Sequence, residues 1–266
     1  MKIAYITNLY PPSIIGGAEI VVEKITKELA KEHEVIVITN NSKNEEKIKS
    51  NIKFYKIKTN IYPVKDQLTK PTILKPLWHI LDLLNIKSYL RIKEILKKEK
   101  PDIVHIHNYK GLSPLSFKAA KDLKIPTIFT AHDYSTICIR ANLLNGKGEI
   151  CKNPRIPCRA YNRIQKFFIQ NKPDIVIAPS NFVLKKLQSA GLFKNVKKMV
   201  LPNPIEAKKE SVNKNYDTID ILFVGSLSKH KGPDTLIKSF KKVKRDNLRL
   251  HIVGRGPCFE KLEKIA

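Results

Sequence analysis

Short apolar runs alternate along this chain with longer segments in which apolar residues recur every three or four positions. The runs have the length of buried strands, and the longer segments have the periodicity of one helix face. The predicted strands are residues 3–7, 34–39, 52–58, 103–107, 126–131, 173–179, 199–202, 219–224 and 250–253. Buried strands that alternate with helices predict an α/β fold with parallel sheets.

Between the strands, the helical pattern is clearest after the first one, with apolar residues at Ala18, Val21, Val22, Ile25 and Leu29. Further helices are predicted at 71–100 in two pieces, 115–123, 161–170, 181–190 and 234–244, and residues 254–257 open a last one. The polar residues 40–51 are predicted to be a loop, and about 25 residues after 131 form a much longer one. Loops of that length tend to be functional.

The pattern of strands and helices breaks once and then restarts. Residues 203–217 are polar and charged, which is typical of a linker. The sequence therefore predicts two Rossmann-like, doubly wound domains, residues 1–202 and 218–266. A doubly wound sheet usually has about six strands, and the second domain shows two, so we expect it to be incomplete.

Composition limits the class of protein. A hydrophobic content of 42% supports a real core, and no apolar run approaches the roughly 18 residues of a membrane span. Because a strand begins directly after Met1, we expect no secretory signal and a cytoplasmic location. The net charge of +26 favours anionic partners, but the lysines are scattered, as on a solvated surface. No nucleic-acid-binding motif is present, so nucleic acid is not a predicted partner.

Two interpretations remain open for the segment 71–100. Its apolar and lysine-bearing pattern suits a helix that packs on the sheet, and it also suits a helix that lies on a membrane surface.

The Gly16–Gly17 pair stands between the first strand and the first helix. The first N–H groups of a helix lack intrahelical partners, and glycine lets a ligand approach the backbone closely. This position could bind an anion, or the glycines could simply ease a tight turn. The GxGxxG spacing of dinucleotide-binding folds is absent.

Histidines and cysteines gather near the ends of two later strands. His105 and His107 are two residues apart on one strand and so share a face, while His132 ends the next strand beside Asp133. Such a pair could bind a metal ion. With no carboxylate or cysteine partner evident nearby, we interpret His105 and His107 as histidines whose hydrogen bonds are satisfied within the protein or as histidines at the edge of a cleft.

The long loop contains three of the four cysteines of the chain, Cys138, Cys151 and Cys158. They lack CxxC knuckles, although His132 or a water could complete a zinc site with them. A disulfide is disfavoured in the cytoplasm. We therefore predict four free thiols, Cys258 included, and no metal.

Seven segments together resemble the retaining glycosyltransferases of the GT-B fold that form glycosyltransferase family 4. In chain order they are YPPSIIGGAE, PDIVHIHN, TAHDY, APSNFV, LPNP, FVGSLSKHKGPDTLIKSF and HIVGRGP. The cysteine-bearing loop also resembles an insertion of some members, in which one more cysteine is often present.

The resemblance implies roles for particular residues. Gly16 and Gly17 would approach the donor phosphate or sugar, His132 would be catalytic and face the transferred sugar, and Lys231 would hold the diphosphate. The other implied substrate-binding residues are Asn203, Gly225, Ser226 and Gly254. Ser226 stands where many members have arginine, and the family's distal pair of donor-binding glutamates would lie beyond residue 266.

The function implied by the resemblance is transfer of a sugar, with retention, from a nucleotide-sugar donor to a glycan or lipid-linked acceptor. The nucleotide sugar is a substrate, and no cofactor is implied. The setting would be cell-envelope polysaccharide synthesis in the cytoplasm, with the alternative of peripheral contact with the anionic inner membrane face. A second hypothesis is a truncated homologue that binds a ligand or a partner subunit without catalysis. On either hypothesis, we expect little turnover from these 266 residues alone.

Overall fold

The computed structural model describes residues 1–205 and 217–265. The strands are β1 Lys2–Thr7, β2 Glu34–Asn40, β3 Glu45–Lys49, β4 Ile52–Ile57, β5 Ile103–Ile106, β6 Thr127–Thr130, β7 Ile175–Ala178, β8 Lys197–Val200, β9 Ile219–Val224 and β10 Leu248–Val253. The α-helices are α1 Gly17–Leu29, α2 Leu74–Leu83, α3 Ile86–Glu99, α4 Leu115–Asp122, α5 Ile156–Ile169, α6 Asn181–Ser189, α7 Pro233–Phe240 and α8 Phe259–Glu263. The predicted α/β fold with parallel sheets is confirmed.

The chain divides into two compact units. The first comprises Met1–Leu144 and Cys151–Ile205, and the second comprises Asn145–Ile150 and Glu206–Ala266. Most of the predicted linker 203–217 lies outside the described residues, so its structure is not characterised.

Eight strands form the sheet of the first unit, in the order β3-β4-β2-β1-β5-β6-β7-β8. All neighbouring pairs are parallel except β3 and β4. After β1 the chain builds the sheet outward on one side through β2, and it then returns to place β5 on the other side of β1. The order of strands therefore reverses between β1 and β5, where α/β sheets commonly bind ligands at the carboxyl ends of the strands.

The core of the first unit lies on both faces of this sheet. Along β1, Ala4 and Ile6 belong to a large buried cluster, whereas Ile3 and Tyr5 belong to a second buried cluster. This alternation follows from the two-residue period of a strand. Because both faces are covered, the central strands are held firmly, and their carboxyl ends are fixed relative to one another.

The second unit contains a parallel pair of strands, β9 and β10. One face of the pair contributes Phe223, Leu250 and Ile252 to a small cluster around Leu227 and Ile237. Beyond β9 and β10, the backbone segments at Gly225 and Gly254 approach each other so closely that position 254 must be glycine. A Cβ atom there would lie 1.8 Å from the carbonyl oxygen of Gly225.

The structure corrects several sequence predictions. Residues 40–51 are not a loop throughout, because Glu45–Lys49 pairs antiparallel with β4 and forms the edge of the sheet. The polar composition of that segment, which suggested a loop, is also typical of an exposed edge strand. Helix α5 begins at Ile156, five residues before the predicted start, so Cys158 lies in its first turn and not in the long loop.

Three smaller boundaries also differ from the predictions. Strand β8 begins at Lys197, two residues before the predicted start, and β10 begins at Leu248. Helix α7 ends at Phe240 although the predicted helix runs to residue 244. Each shift is at an element end, where the apolar period is weakest.

Candidate active site

Three of the predicted features lie at the carboxyl edge of the large sheet. The Gly16–Gly17 pair follows β1, His107 follows β5, and His132 follows β6. Since β1, β5 and β6 are neighbours in that order, the features lie side by side across the reversal of strand order. The sheet topology therefore brings to one edge segments that are about 25 to 115 residues apart in sequence.

The glycine pair forms an open entrance to α1. Gly16 is the N-cap residue, and its N–H group donates a hydrogen bond of 2.8 Å to Glu19 Oε2 in the first turn. The Glu19 side chain is buried and orders this turn. A Cβ atom at Gly17 would meet no atom within 4 Å. Protein packing thus does not require Gly17 to be glycine, and the space beside the helix N-terminus is open to a ligand.

His132 is directly hydrogen-bonded to His107. The His107 Nδ1 and His132 Nε2 atoms are 2.7 Å apart, and the two rings stack with centroids 5.0 Å apart. His107 is 1% exposed, and its Nε2 atom has no hydrogen-bond partner among the described residues.

This arrangement favours one tautomer of the pair. A buried N–H group without an acceptor costs more than an unfilled acceptor, so the proton of His107 belongs on Nδ1. His107 Nδ1 then donates to His132 Nε2, and the proton of His132 is on its own Nδ1. The Nδ1–H group of His132 is therefore available as a hydrogen-bond donor.

Burial keeps the histidine cluster uncharged. It lowers the pKa of His132, an effect that the nearby Asp133 partly opposes, and it lowers the pKa of His107 well below the ordinary value. The pKa of His105 falls to about 3, mainly through burial and further through His132. At neutral pH, the lowered pKa therefore leaves His132 able to donate a hydrogen bond but without a full positive charge.

The beginning of the long loop is fixed beside this cluster. Lys110 Nζ donates to the carbonyl oxygen of Ile139 at 2.5 Å. From α5, Asn162 Nδ2 donates to the carbonyl of Ile137 at 2.7 Å, and Gln165 Nε2 donates to that of Ser135 at 2.8 Å. Residues 135–139 are thus held by the protein interior and can form a defined wall next to His132.

A buried carboxyl group connects α2 to the same edge of the sheet. Asp82 is fully buried, and its Oδ1 atom accepts a hydrogen bond of 2.9 Å from the N–H group of Gly111, which follows β5. Burial raises the pKa of Asp82 to about 7. On the same helix, burial lowers the pKa of His79 to about 4. Sequence reasoning assigned no role to Asp82, although a lone acid within an apolar helix is a signal that can be noticed.

The second unit groups four further candidates at the carboxyl ends of β9 and β10. Gly225 and Gly254 are in the close approach described above, and the exposed Ser226 follows them. Lys231 ends a 3₁₀ turn, Lys229–Lys231, that precedes Gly232 and the N-terminus of α7. Its position beside a helix N-terminus is suited to an anionic group. Asn203 lies outside any helix or strand, on the exposed end of the first unit.

Within residues 1–205 and 217–265, no group of three or more His, Cys, Asp or Glu side chains has the geometry of a metal site. The four cysteines are free thiols in the same part of the chain.

Comparison with known families shows which family this chain belongs to. The model of Glycosyltransferase Family 4 matches residues 15–209. The chain belongs to glycosyltransferase family 4. The model of glycosyl transferases group 1 matches residues 204–266, which include the β9–β10 segment of this family 4 chain.

Relatives of this family 4 chain include proteins of a bacterial cps region and a named synthase. An uncharacterized 42.6 kDa protein in the cps region of Klebsiella pneumoniae is 30% identical over 242 residues, covering 90% of this chain and 64% of the relative. Alpha-monoglucosyldiacylglycerol synthase of Acholeplasma laidlawii is 26% identical over 284 residues, covering 100% of this chain and 66% of that protein. The chain spans between about half and two thirds of the length of the curated relatives it matches.

Among solved structures, Anabaena HepE in complex with UDP superimposes with a TM-score of 0.62 at 14% identity, over 100% of this chain and 65% of that one. At this identity the likeness shows the fold alone, and it confirms the predicted GT-B-like fold. Across the described part of the chain, no helix combines the length and apolar character that crossing a bilayer requires.

Proposed function

We propose that this protein transfers a sugar, with retention, from a nucleotide-sugar donor to a glycan or lipid-linked acceptor. The observation that carries the proposal is the edge of the large sheet, where the open glycine entrance and the His107–His132 pair flank the reversal of strand order. That position is where α/β sheets bind ligands. Membership of family 4 supports the assignment of this site to sugar transfer.

The chemistry demands that negative charge on the departing nucleotide diphosphate be stabilised. In the proposed mechanism, Lys231 and the N-terminus of α7 supply this stabilisation without a metal or another cofactor. Gly225, Ser226, Gly254 and Asn203 would contribute the remaining contacts to the donor. Backbone N–H groups at Gly16 and Gly17 would hold a phosphate or sugar oxygen at the N-terminus of α1.

His132 would orient the transferred sugar. Because its Nε2 atom is occupied by His107, its Nδ1–H group is the donor offered to a sugar hydroxyl. Such a bond positions the anomeric carbon and responds to charge that develops on the ring oxygens. Since the histidine is neutral, this contribution would persist below the ordinary histidine pKa.

We place the activity in envelope polysaccharide or glycolipid synthesis, on the cytoplasmic side of the membrane and in peripheral contact with it. One relative is encoded in a cps region, and another is by name a synthase of a glucosylated diacylglycerol. Both relationships support an envelope acceptor for this chain.

The test uses the product of the complete reading frame, titrated with a panel of UDP-, GDP- and TDP-sugars and then assayed for transfer. We expect His132→Ala to reduce kcat roughly 100-fold or more with little change in the unfolding midpoint, a magnitude typical of losing a positioned polar group. Lys231→Gln should weaken donor binding by about tenfold. His251→Ala removes an exposed histidine from β10 and is the matched control.

The outcomes separate the competing hypotheses. Donor binding without transfer to any acceptor would favour a non-catalytic homologue that binds a ligand or partner. Wild-type turnover in a folded His132→Ala protein would remove the proposed role of this histidine. A parallel assay of residues 1–266 tests our expectation that they alone turn over little.

A further inference from the structure

The outer face of α2 and the beginning of α3 carry apolar side chains that the fold does not cover. Ile73, Leu77, Ile80 and Leu84 recur at the spacing of a single helix face, and Ile86 and Leu90 extend that surface onto α3. Ile73 is 84% exposed, and Ile80 and Ile86 are 62% and 65% exposed. We call these six residues the apolar ridge.

The opposite face of α2 is already packed, so the ridge is not a poorly docked core face. Trp78 is fully buried, and its Nε1–H group donates to the carbonyl oxygen of Tyr62 at 2.9 Å. Asp82 and Leu83 are buried on the same side. A helix on the surface of a globular protein normally has polar residues on its outer face, and contiguous exposed apolar patches usually mark a binding surface.

A groove with two lysines adjoins the ridge. It has a volume of about 310 Å³, and its lining includes Leu81, Leu84 and Ile86 together with Lys58 and Lys87. Both lysines are exposed, and neither forms an ion pair with a carboxylate among the described residues. Two free ammonium groups in one groove are suited to a phosphate group.

The ridge is bordered by basic residues. From residue 67 to residue 90 the sequence contains three lysines, Lys70, Lys75 and Lys87, and one carboxylate, Asp82, which is buried. Further along α3 the cations are paired within the protein, Arg91 with Glu94 and Lys93 with Asp122. An exposed apolar face bordered by basic residues is the pattern of a helix that lies in the interface of a membrane.

We propose that the ridge and its groove dock this protein onto an anionic lipid bilayer. The apolar ridge would enter the boundary between headgroups and acyl chains, and Lys58 and Lys87 would bind lipid phosphates. This docking proposal rests on the proposed function, because an enzyme reaches a lipid-linked acceptor at the membrane. It identifies the surface that makes the contact.

The position of the ridge in the first unit supports this purpose. Asp82 bonds to Gly111 after β5, and Asn85, between α2 and α3, bonds to the backbone carbonyl of Thr59 after β4. The helix pair is therefore fixed at the carboxyl edge of the sheet, the same edge that holds His107 and His132. A lipid-linked acceptor held beside the ridge would be on the catalytic side of the sheet.

Charge also distinguishes a bilayer from a second copy of the chain. Two copies that met through this surface would bring their basic borders together, in a protein with a net charge of +26. Repulsion between like charges opposes such an interface, whereas an anionic bilayer neutralises them.

The first experiment is flotation with phosphatidylcholine vesicles and with vesicles that also contain phosphatidylglycerol. We expect binding to the anionic vesicles, and a loss of roughly 30-fold or more in the doubly substituted Leu77→Ser, Ile80→Ser protein because two apolar side chains no longer enter the bilayer. Phe167→Ser removes a 77% exposed aromatic residue from α5 and should leave binding unchanged. Equal binding by the ridge variant and the parent would overturn the proposal.

The second experiment tests the groove. Lys58→Gln with Lys87→Gln should weaken binding to anionic vesicles by about 30-fold, since a lysine near such a surface contributes about fivefold. Lys97→Gln with Lys185→Gln makes the same change in net charge at exposed sites on α3 and α6. Equal losses in the two double variants would show attraction by net charge alone and would overturn the role of the groove.

Two further measurements keep the proposals separate. Donor titration of the ridge variant should match the parent, so a failure of donor binding would count against sugar transfer and leave the docking result unaffected. Light scattering without lipid reports self-association. A lipid-free dimer that the ridge substitutions abolish would identify a second copy as the occupant of the ridge and overturn the proposal.

Discussion

The two sheets of this protein show how similar strands reach different degrees of burial. In the first unit, Ile36 and Ile38 on β2 are 2% and 0% exposed. In the second, Leu222 and Val224 on β9 are 63% and 70% exposed. Both strands are rich in apolar residues, and both pair in parallel with a neighbour.

The difference lies in the layers that cover the sheets. Clusters occupy both faces of the large sheet, whereas the described part of the second unit covers one face of β9 and β10. A strand sequence specifies which side chains share a face, and the surrounding layers decide how much of each face is removed from water. We therefore expect the first unit to supply most of the stability of these residues.

The largest expected effect comes from matched phenylalanine substitutions in the two sheets. Phe129→Ala removes a ring that is 1% exposed and should destabilise the first unit by about 3–5 kcal/mol. Phe223→Ala, on a half-buried ring in β9, should cost about 1–2 kcal/mol. The single tryptophan, Trp78, is buried in the first unit, so its fluorescence during urea unfolding reports that unit.

Hydrogen exchange measures the second unit separately. Amides of β1 and β5 should exchange at least about 100-fold more slowly than those of β9 and β10, as expected for elements with different opening free energies. Equal protection in the two sheets would show that the uncovered face does not weaken the second unit.

The next effect concerns two carboxyl groups in different environments. Asp82 is buried in the first unit, whereas Asp220 is exposed in the second. The pKa of Asp82 is about 7 in the folded protein because the group is buried, and it is ordinarily near 3.8. The folded state therefore keeps a proton that the unfolded chain releases, and this contribution to stability is present below about pH 4 and lost as the pH rises to 7.

Asp82→Asn should remove this loss, because asparagine is neutral at every pH in the range. Between pH 4 and pH 7 the stability of the variant relative to the parent should increase by up to about 4 kcal/mol. Asp220→Asn, which alters an exposed pair with His251, is the control and should change the pH dependence little. Parallel pH profiles for parent and Asp82→Asn would contradict the assigned burial of the charge.

A smaller effect is expected from matched glycine substitutions. Gly254→Ala would place a methyl group against the carbonyl oxygen of Gly225 and should destabilise the second unit by about 2 kcal/mol. Gly17→Ala meets no atom and should raise helix stability by up to about 1 kcal/mol.

Ligand binding sharpens this contrast, because the added methyl group at position 17 occupies the open entrance to α1. Gly17→Ala should therefore weaken donor or acceptor binding although it does not destabilise the fold. Unchanged binding would assign this glycine to the turn and not to a ligand. Thermal unfolding together with donor titration measures both quantities.

The smallest expected effect is that of a metal chelator. Since the four cysteines are predicted to be free and metal-free, EDTA should leave the unfolding midpoint unchanged. Thiol titration of denatured protein prepared without oxidant should count all four groups. One zinc per chain by elemental analysis would show that the long loop is a metal-stabilised insertion.

Much of the fold could be predicted because buried strands and amphipathic helices leave strong periodic patterns. The strand at 219–224 and the two-part helix at 71–100 are confirmed. Strand β3 could not be predicted in the same way. Its sequence, EEKIK, has no apolar run, and it is a strand because β4 offers it a free edge.

For the candidate site, sequence alone determined that Gly16, Gly17, His107 and His132 follow strands, and parallel strands place such residues at a common edge. Tertiary structure decided that His107 bonds to His132, because this contact depends on β5 and β6 being neighbours in the sheet. It also decided that Asp82 is buried while the ridge on the same helix is exposed. The apolar period gives the faces of a helix, but only the packing of the other layers determines which apolar face is covered.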